Sequence, residues 1–457
     1  MIPAQQVVEL ALHAAATSAR CDETIVIVSD RAEASLRWAG NSMTTNGVST
    51  GRTTTVIAIV RRGDAAHLGA RRSSVVDPEA VAALVAAAED AAHAAPQARD
   101  HAPLLTGSGE PADWGDPIPE TGAGAFAEVA RALSAGFGGT DQLYGYAHHV
   151  VETTLVATST GVRRRFTQPT GSVEINAKRG AASAWAGVST PWFIDVPVDG
   201  MLDDLSVRLG WAERTVELPA GRYETLMPPS TVADMMIYLG WSMDGRGAQE
   251  GRTALSAPGG GTRVGEKLTD LPLTMYSDPI APGLECAPFV HTAAGSERLS
   301  VFDNGMDIGR VDWIRDGTIS SLVYPRATAA EFGVAPAAPA DNLLMSGGTA
   351  SLADMVAGTE RGLLLTTLWY IRTVDPTTLL LTGLTRDGVY LIEDGEVTAA
   401  VNNFRFNESP LDLLRRATEA SAAEVTLPRE WSDWATRAVM PTLRIPDFHM
   451  SSVSQAQ

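Results

Sequence analysis

Cysteine is almost missing from this sequence: Cys21 and Cys286 are the only two in 457 residues. They make no metal-binding spacing and no disulfide framework, so each reads as a small buried residue of a protein kept in a reducing cytoplasm. Lysine is equally rare, with Lys178 and Lys267 alone. The positive charge is therefore almost all arginine, and it is outweighed: 35 Lys+Arg against 54 Asp+Glu leave a net charge of −19. A duplex-binding surface would have to be built against that field, which argues against nucleic acid as a direct partner. Long apolar runs are missing too. No stretch approaches the roughly 18 uninterrupted apolar residues of a membrane span, and Met1-Ile2-Pro3-Ala4-Gln5-Gln6 has no basic start followed by an apolar core. A soluble, cytoplasmic protein without a membrane partner is expected.

What is present can fold. Hydrophobic residues make up 45% of the chain, enough at this length for two or three packed domains and too much for a disordered tail. The first region, 1–100, reads as helix, strands, helix. Val7, Val8, Leu10, Ala11 and Ala14 recur near the helical period, and Thr24-Ile25-Val26-Ile27-Val28-Ser29 suits a buried strand. Alternation continues over 34–38 and, after turn signals at Asn46-Gly47 and Gly51, over 53–60. Asp77-Pro78 opens a helix: the carboxylate can take an orphan backbone N–H, and Pro gives up a donor that has no partner there.

Residues 101–122 are rich in Pro, Gly, Asp and His, without periodicity, and read as a surface linker. A middle α+β domain over 123–217 follows, with a helix over 126–137, strands over 143–158, 161–167, 172–177 and 181–188, and a closing helix near 205–216. The third domain, 218–450, is turn-punctuated and strand-rich. Asp316-Gly317, Asp387-Gly388 and Asp394-Gly395 each sit between apolar or alternating runs, the mark of a hairpin whose central residues need positive φ. Its helices are few, near 232–239, 351–359 and 409–418. The fold class is therefore α+β: N-terminal and middle α+β domains, then a large barrel-like domain of antiparallel or mixed sheet.

No catalytic constellation stands out. A metal hydrolase commonly sets two His about one helical turn apart with a Glu beside them; of eight histidines only His148 and His149 are close in sequence. On a strand those two point to opposite faces, so His149 with Glu152 is a poor chelate. Gly240-Trp241-Ser242-Met243-Asp244-Gly245 lacks both the spacing and the strand-turn-helix context of a nucleophile elbow. Gly259-Gly260-Gly261-Thr262 opens no helix and reads as a loop, and Ser351 reads as an ordinary N-cap. Tyr238, Trp241, Trp369, Tyr370 and Tyr390 lie in apolar segments, where core packing is the default.

The order of motifs in the third domain carries more. Ser277-Asp278-Pro279, Phe302-Asp303, the hairpin around Asp316-Gly317, Asp341-Asn342-Leu343-Leu344-Met345-Ser346-Gly347-Gly348, Glu360-Arg361-Gly362-Leu363-Leu364 and Tyr390-Leu391-Ile392-Glu393-Asp394-Gly395 succeed one another as in the TldD/PmbA family, which this sequence resembles. Thr158-Ser159-Thr160-Gly161-Val162 is similar to the family's middle domain. The resemblance covers nearly the whole chain, most strongly its last half.

The resemblance implies a paired system, in which a TldD-type chain carries the zinc-protease motif H-E-x-x-x-H and a TldE-type chain lacks it. At the corresponding place this sequence has Asp234, Met235, Met236, Ile237, Tyr238 and Leu239, with no His between His149 and His291 and no Cys after Cys286. The resemblance therefore implies the TldE-like, non-catalytic side, with no catalytic residue and no metal ligand here and zinc held by the TldD-type partner. That partner and an unfolded or precursor peptide are the expected associates. Tyr238 and Trp241 are candidates for a peptide groove or partner interface. Two other readings stand beside this one: a hydrolase built on His148, His149 and Glu152, and a homo-oligomeric modulatory protein, since the resemblance also carries a link to DNA gyrase and to antitoxin substrates.

Overall fold

The computed structural model describes residues 2–74, 77–107 and 109–454. Two sheets organise them. The first region supplies α1 (Ala4–Ser18), β1 (Glu23–Trp38), β2 (Met43–Arg62), β3 (Ala65–Ser73) and α2 (Pro78–Ala94). The next supplies α3 (Ala127–Gly136), β4 (Gln142–Thr158), β5 (Arg163–Arg179), β6 (Ala182–Ser189) and α4 (Val198–Trp211). All six strands form one sheet in the order β3-β2-β1-β4-β5-β6, every neighbouring pair antiparallel.

The segments 1–100 and 123–217, expected as separate domains, thus share a sheet. Strand β1 is buried on both faces over residues 24–28 and lies inside the sheet, with β2 on one edge and β4 on the other, paired from Ile25↔Thr158 to Trp38↔Gly145. The linker is anchored as well as exposed, since Ala102, Leu104 and Trp114 are buried. All four helices lie on one face. There α1 and α2 pack Val7, Val8, Ala11, Val81, Val85 and Ala88 against Val26, Val28, Val56 and Leu155, and α3 and α4 pack Val129, Leu133, Val198, Met201 and Leu205 against Leu36, Trp38, Val173 and Ile175. Asp77 caps α2 through Ala80 N–H with Pro78 at the first position, as the sequence indicates.

Local signals misplace three features. The turn between β1 and β2 falls at 39–42, with Gly40 at φ 57° and Asn41 at φ 60°, while Asn46 and Gly47 pair with Leu36 and Ser35 in mid-strand. The Asn41 side chain decides the place, accepting from Leu143 N at 2.6 Å and donating to Asp141 O at 2.9 Å. Strand β5 runs unbroken through Pro169, because β6 pairs only from Ser172 onward and the missing N–H falls on an edge. The last helix begins earlier than expected, at Val198, since Val198, Met201, Leu205 and Leu209 form its buried stripe.

The C-terminal region builds a fourteen-stranded sheet. Its spine is the strand Ala438–Val453, which pairs antiparallel with Gly221–Met227, Glu419–Thr426 and Phe404–Glu408 and parallel with Leu343–Met345. The sheet curls round the helix α5 (Pro229–Trp241), whose Val232, Ala233, Met235, Met236 and Leu239 enter the main core with Leu363, Leu365, Leu391, Met440 and Leu443. The α+β class with a curled, strand-rich C-terminal part is as expected. Two D-G hairpins form, with both central residues at positive φ: Asp316 47° and Gly317 75°, Asp394 49° and Gly395 82°. Asp387-Gly388 is not a hairpin, because Leu380–Thr385 pairs with Phe404–Glu408 while Val389–Glu393 pairs with Arg361–Leu365 and Glu396–Val401. The Asp387 carboxylate is instead held by Ser183 and Arg429, and Gly388 O accepts from Thr366 N at 2.8 Å.

The edge strand β3 meets α2 through a glycine. A Cβ on Gly69 would stand 2.1 Å from Ala88 O and 2.2 Å from Ala92 N, both helix backbone. Gly69→Ala is therefore expected to cost about 1–3 kcal/mol through overpacking, read as a lower urea midpoint with unchanged slope. An unshifted midpoint would mean that α2 can back away freely.

Candidate functional site

The face of the six-stranded sheet that carries no helix looks toward the curled sheet, and a cavity of about 660 Å³ lies between them. That size falls within the range of ligand sites. Strand alternation builds one wall: Tyr146, His148, Val150 and Glu152 of β4 stand beside Gln168, Thr170, Ser172 and Glu174 of β5. Opposite are the end of α5, with Ile237, Gly240 and Trp241, and the loops carrying Phe289, Arg298, Asp341 and Trp434.

Helix α5 holds the positions at which the family resemblance would place zinc ligands, and they do not fit a metal. Asp234 is wholly buried; its Oδ1 accepts from Glu430 N at 3.0 Å and its Oδ2 has no partner. Burial pushes this carboxyl well above the usual range, which disfavours the anionic form that a metal ligand needs. Met235, Met236 and Leu239 are core residues and Ile237 is buried. Tyr238 stands behind the wall and donates its hydroxyl to Ile371 O at 2.7 Å. Trp241 lies in the wall, 42% exposed, with its ring edge-on to Trp431 at 4.7 Å; Tyr238 closes the cluster at 5.6 Å from Trp241 and 5.3 Å from Trp431.

The histidines are split between two faces. His148 Nε2 pairs with Glu33 Oε1 at 2.8 Å on the cavity side, where Glu152 meets Arg31 at 3.4 Å. His149 points the other way: it accepts from the Thr121 hydroxyl at 2.7 Å and donates to Pro191 O at 2.9 Å, and burial lowers its pKa. The three residues of the alternative hydrolase reading are not brought together. Among the described residues, no three His, Cys, Asp or Glu side chains converge as a metal-holding group. Cys286 is buried and its thiol is pushed up to about 12 by that burial, which keeps it protonated.

Several wall residues carry no motif. Arg437 is buried and bridges the two sheets, donating to Glu285 O at 3.0 Å, to Thr170 Oγ1 at 3.1 Å and to Pro169 O, with Asp341 at 3.7 Å. Glu174 accepts from Trp185 Nε1 at 3.0 Å, and burial raises its pKa. The one usable signal was Trp431 and Trp434, two tryptophans in a polar stretch without periodicity; Trp434 is 76% exposed at the cavity. Arg298 had none.

Residues 220–452, just over half of the chain, match the family model of the PmbA/TldA metallopeptidase C-terminal domain. The chain belongs to the TldD/PmbA family. Its fold is that of the TldE of Thermococcus kodakarensis, with a TM-score of 0.79 at 17% identity over 97% of this chain and 99% of that one. A Bacteroides thetaiotaomicron protein named for a suggested role as a modulator of DNA gyrase superposes with a TM-score of 0.76 at 15% identity, covering 99% of this chain and 100% of that one. A Thermotoga maritima protein with the same kind of name gives 0.75 at 15% identity, covering 97% and 99%. These likenesses show the fold. No curated protein matches the sequence.

In this TldD/PmbA chain the burial of the Asp234 carboxyl has a pH signature. Its folded pKa is raised above the unfolded value of about 3.9, so its contribution to stability is complete below that value and is lost as pH rises through the folded pKa. Asp234→Asn keeps the acceptor for Glu430 N–H and removes the ionisable group. The variant is expected to match or exceed the wild type at pH 8, by about 1–3 kcal/mol where the wild-type carboxyl has ionised, and to show a flatter fall of stability above pH 4. Urea melts across pH 4–9 check this; a variant markedly less stable at pH 8 would mean that Asp234 works as an anion.

Proposed function

We propose that this chain is the TldE/PmbA-type, non-catalytic subunit of a heteromeric zinc metallopeptidase acting on unfolded or precursor peptides. A TldD-type partner bearing H-E-x-x-x-H would hold the zinc and the general base, and this chain would help to enclose the chamber. The observation that carries the reading is the composition of α5 in a member of this family: its face toward the cavity is Ile237, Gly240 and Trp241, which offer contact surface and no ligand atom. The one carboxyl at that level, Asp234, is turned into the core and bound to Glu430 N–H. The cavity between a polar strand wall and an aromatic rim supports the same reading, since extended peptides are held by backbone pairing and by apolar contacts of alternate side chains. The family model's description as a metallopeptidase supports the proteolytic setting.

Native mass spectrometry of the chain purified from its own host without denaturant tests this directly. The expected result is a heterodimer whose other subunit carries H-E-x-x-x-H and one zinc ion, with the isolated chain inactive on unfolded peptides and the complex active. A chain that hydrolyses peptides alone and metal-dependently would overturn it, and a metal-free homo-oligomer would turn the reading toward a modulatory binding protein.

A further inference from the structure

Three arginines stand in the cavity wall, Arg31, Arg298 and Arg437, and only two of them meet a carboxylate. Arg31 is paired with Glu33 at 3.1 Å and Glu152 at 3.4 Å, and Arg437 with Asp341 at 3.7 Å. Arg298 has no carboxylate oxygen within 4.0 Å among the described residues. Its sequence neighbour Glu297 is engaged elsewhere, with Arg246 at 3.6 Å and Arg252 at 3.7 Å. The acid whose charge acts on it is Asp244, beyond 4.0 Å, which receives the backbone N–H of Gly247 at 3.0 Å as the cap of a short helix.

What holds Arg298 is the end of α5. Its Nη1 donates to Gly240 O at 2.6 Å and to Trp241 O at 2.9 Å. The partial negative charge of a helix C-terminus steadies a cation there and fixes the guanidinium plane. Nε and Nη2 form no hydrogen bond among the described residues, and neither is sealed from solvent. They are one edge of the guanidinium, with two parallel donors spaced for the two oxygens of a carboxylate. Burial among protein atoms, offset only in part by the charge of Asp244, pushes the Arg298 pKa down to about 10, so the cation gains from an anion brought to it. Beside it the exposed rings of Trp241 and Trp434 supply apolar contact.

We propose that Arg298 is the carboxylate-binding residue of the cavity, and that a bound peptide places an Asp or Glu side chain or its own C-terminal carboxylate on the Nε/Nη2 edge. The inference rests on the reading of the cavity as a peptide chamber, and it adds an acidic group to the peptide's description.

The test is fluorescence anisotropy of the full chain, and of the complex in which it is isolated, with three dye-labelled unstructured peptides. One has a C-terminal amide and no acidic residue, one has the free C-terminal carboxylate, and one has the amide and a single Glu. At least one carboxylate-bearing peptide is expected to bind about tenfold tighter than the neutral one, the worth of one charge-assisted pair; which one does so identifies the source of the carboxylate. Arg298→Gln can still donate to the α5 carbonyls but lacks the cation. It should bring the peptides to parity while leaving the neutral peptide's affinity within about twofold, and Arg298→Lys should restore part of the preference. The proposal is overturned if the wild type shows no preference, if the Gln variant retains it, or if that variant weakens all three peptides equally. A Gln variant that loses only its protein partner assigns the arginine to the subunit interface and overturns it too. An Arg298-dependent preference in a chain that pairs with no TldD-type subunit would sink the subunit reading and leave this one standing.

Discussion

Helix α5 is buried between the curled sheet and the helix Pro410–Arg416, and the arrangement of the cavity follows from that burial. Eight of its thirteen residues are buried, from Thr231 to Leu239, so the helix has almost no solvent face on which to display a functional group. Only its C-terminal end emerges, and there Gly240 and Trp241 offer two carbonyls and an indole. The carbonyls take Arg298, and the indole takes Trp431. The one carboxyl trapped inside, Asp234, meets the backbone of Glu430 and so ties the loop that carries Trp431 and Trp434 to the helix. A buried helix thereby positions a cavity wall to which it contributes only three residues.

The second constraint is the double burial of β1. Over residues 24–28 both its faces are buried; the helices gather on one face and the C-terminal region takes the other. That other face is apolar near Ile25, Ile27, Ile57 and Ile59, where it packs on Phe289, Val301 and Phe302. It becomes polar along β4 and β5 at Glu152, Gln168 and Ser172, where the cavity opens. The same strands thus join the two sheets at one end and hold them apart at the other. Arg437 stitches the seam with donors to both sides.

The electrostatics of the wall are consistent with a site that binds rather than one that reacts by itself. Several of its ionisable groups are engaged by neighbours: His148 with Glu33, Arg31 with Glu152, and Glu174 with Trp185 Nε1. A nucleophile or base needs a neighbour arranged to activate it, and His149, the nearest candidate, is locked between Thr121 and Pro191 on the far face. Among the three arginines of the wall Arg298 differs, since it meets no carboxylate within 4.0 Å among the described residues.

Period and succession of motifs were readable from the chain. Alternation marked β1 and β4, Asp77-Pro78 marked the start of α2, and the order from Ser277-Asp278 to Asp394-Gly395 marked the family, because each of these is a local relation between neighbours in sequence. Local signals failed where a distant partner outbid them. Asn46-Gly47 reads as a turn, but Leu36 and Trp38 had to reach the core and moved the turn to Asn41; Asp387-Gly388 reads as a hairpin, but the strands on either side pair with other neighbours. The site was legible only in part for the same reason. Sequence placed Trp241 near the place where zinc ligands were missing, whereas Arg298 became a cavity residue only when the curled sheet brought its loop to the end of α5. Its lack of a carboxylate within 4.0 Å among the described residues is a property of what surrounds it in space, and no reading of its neighbours along the chain contains that.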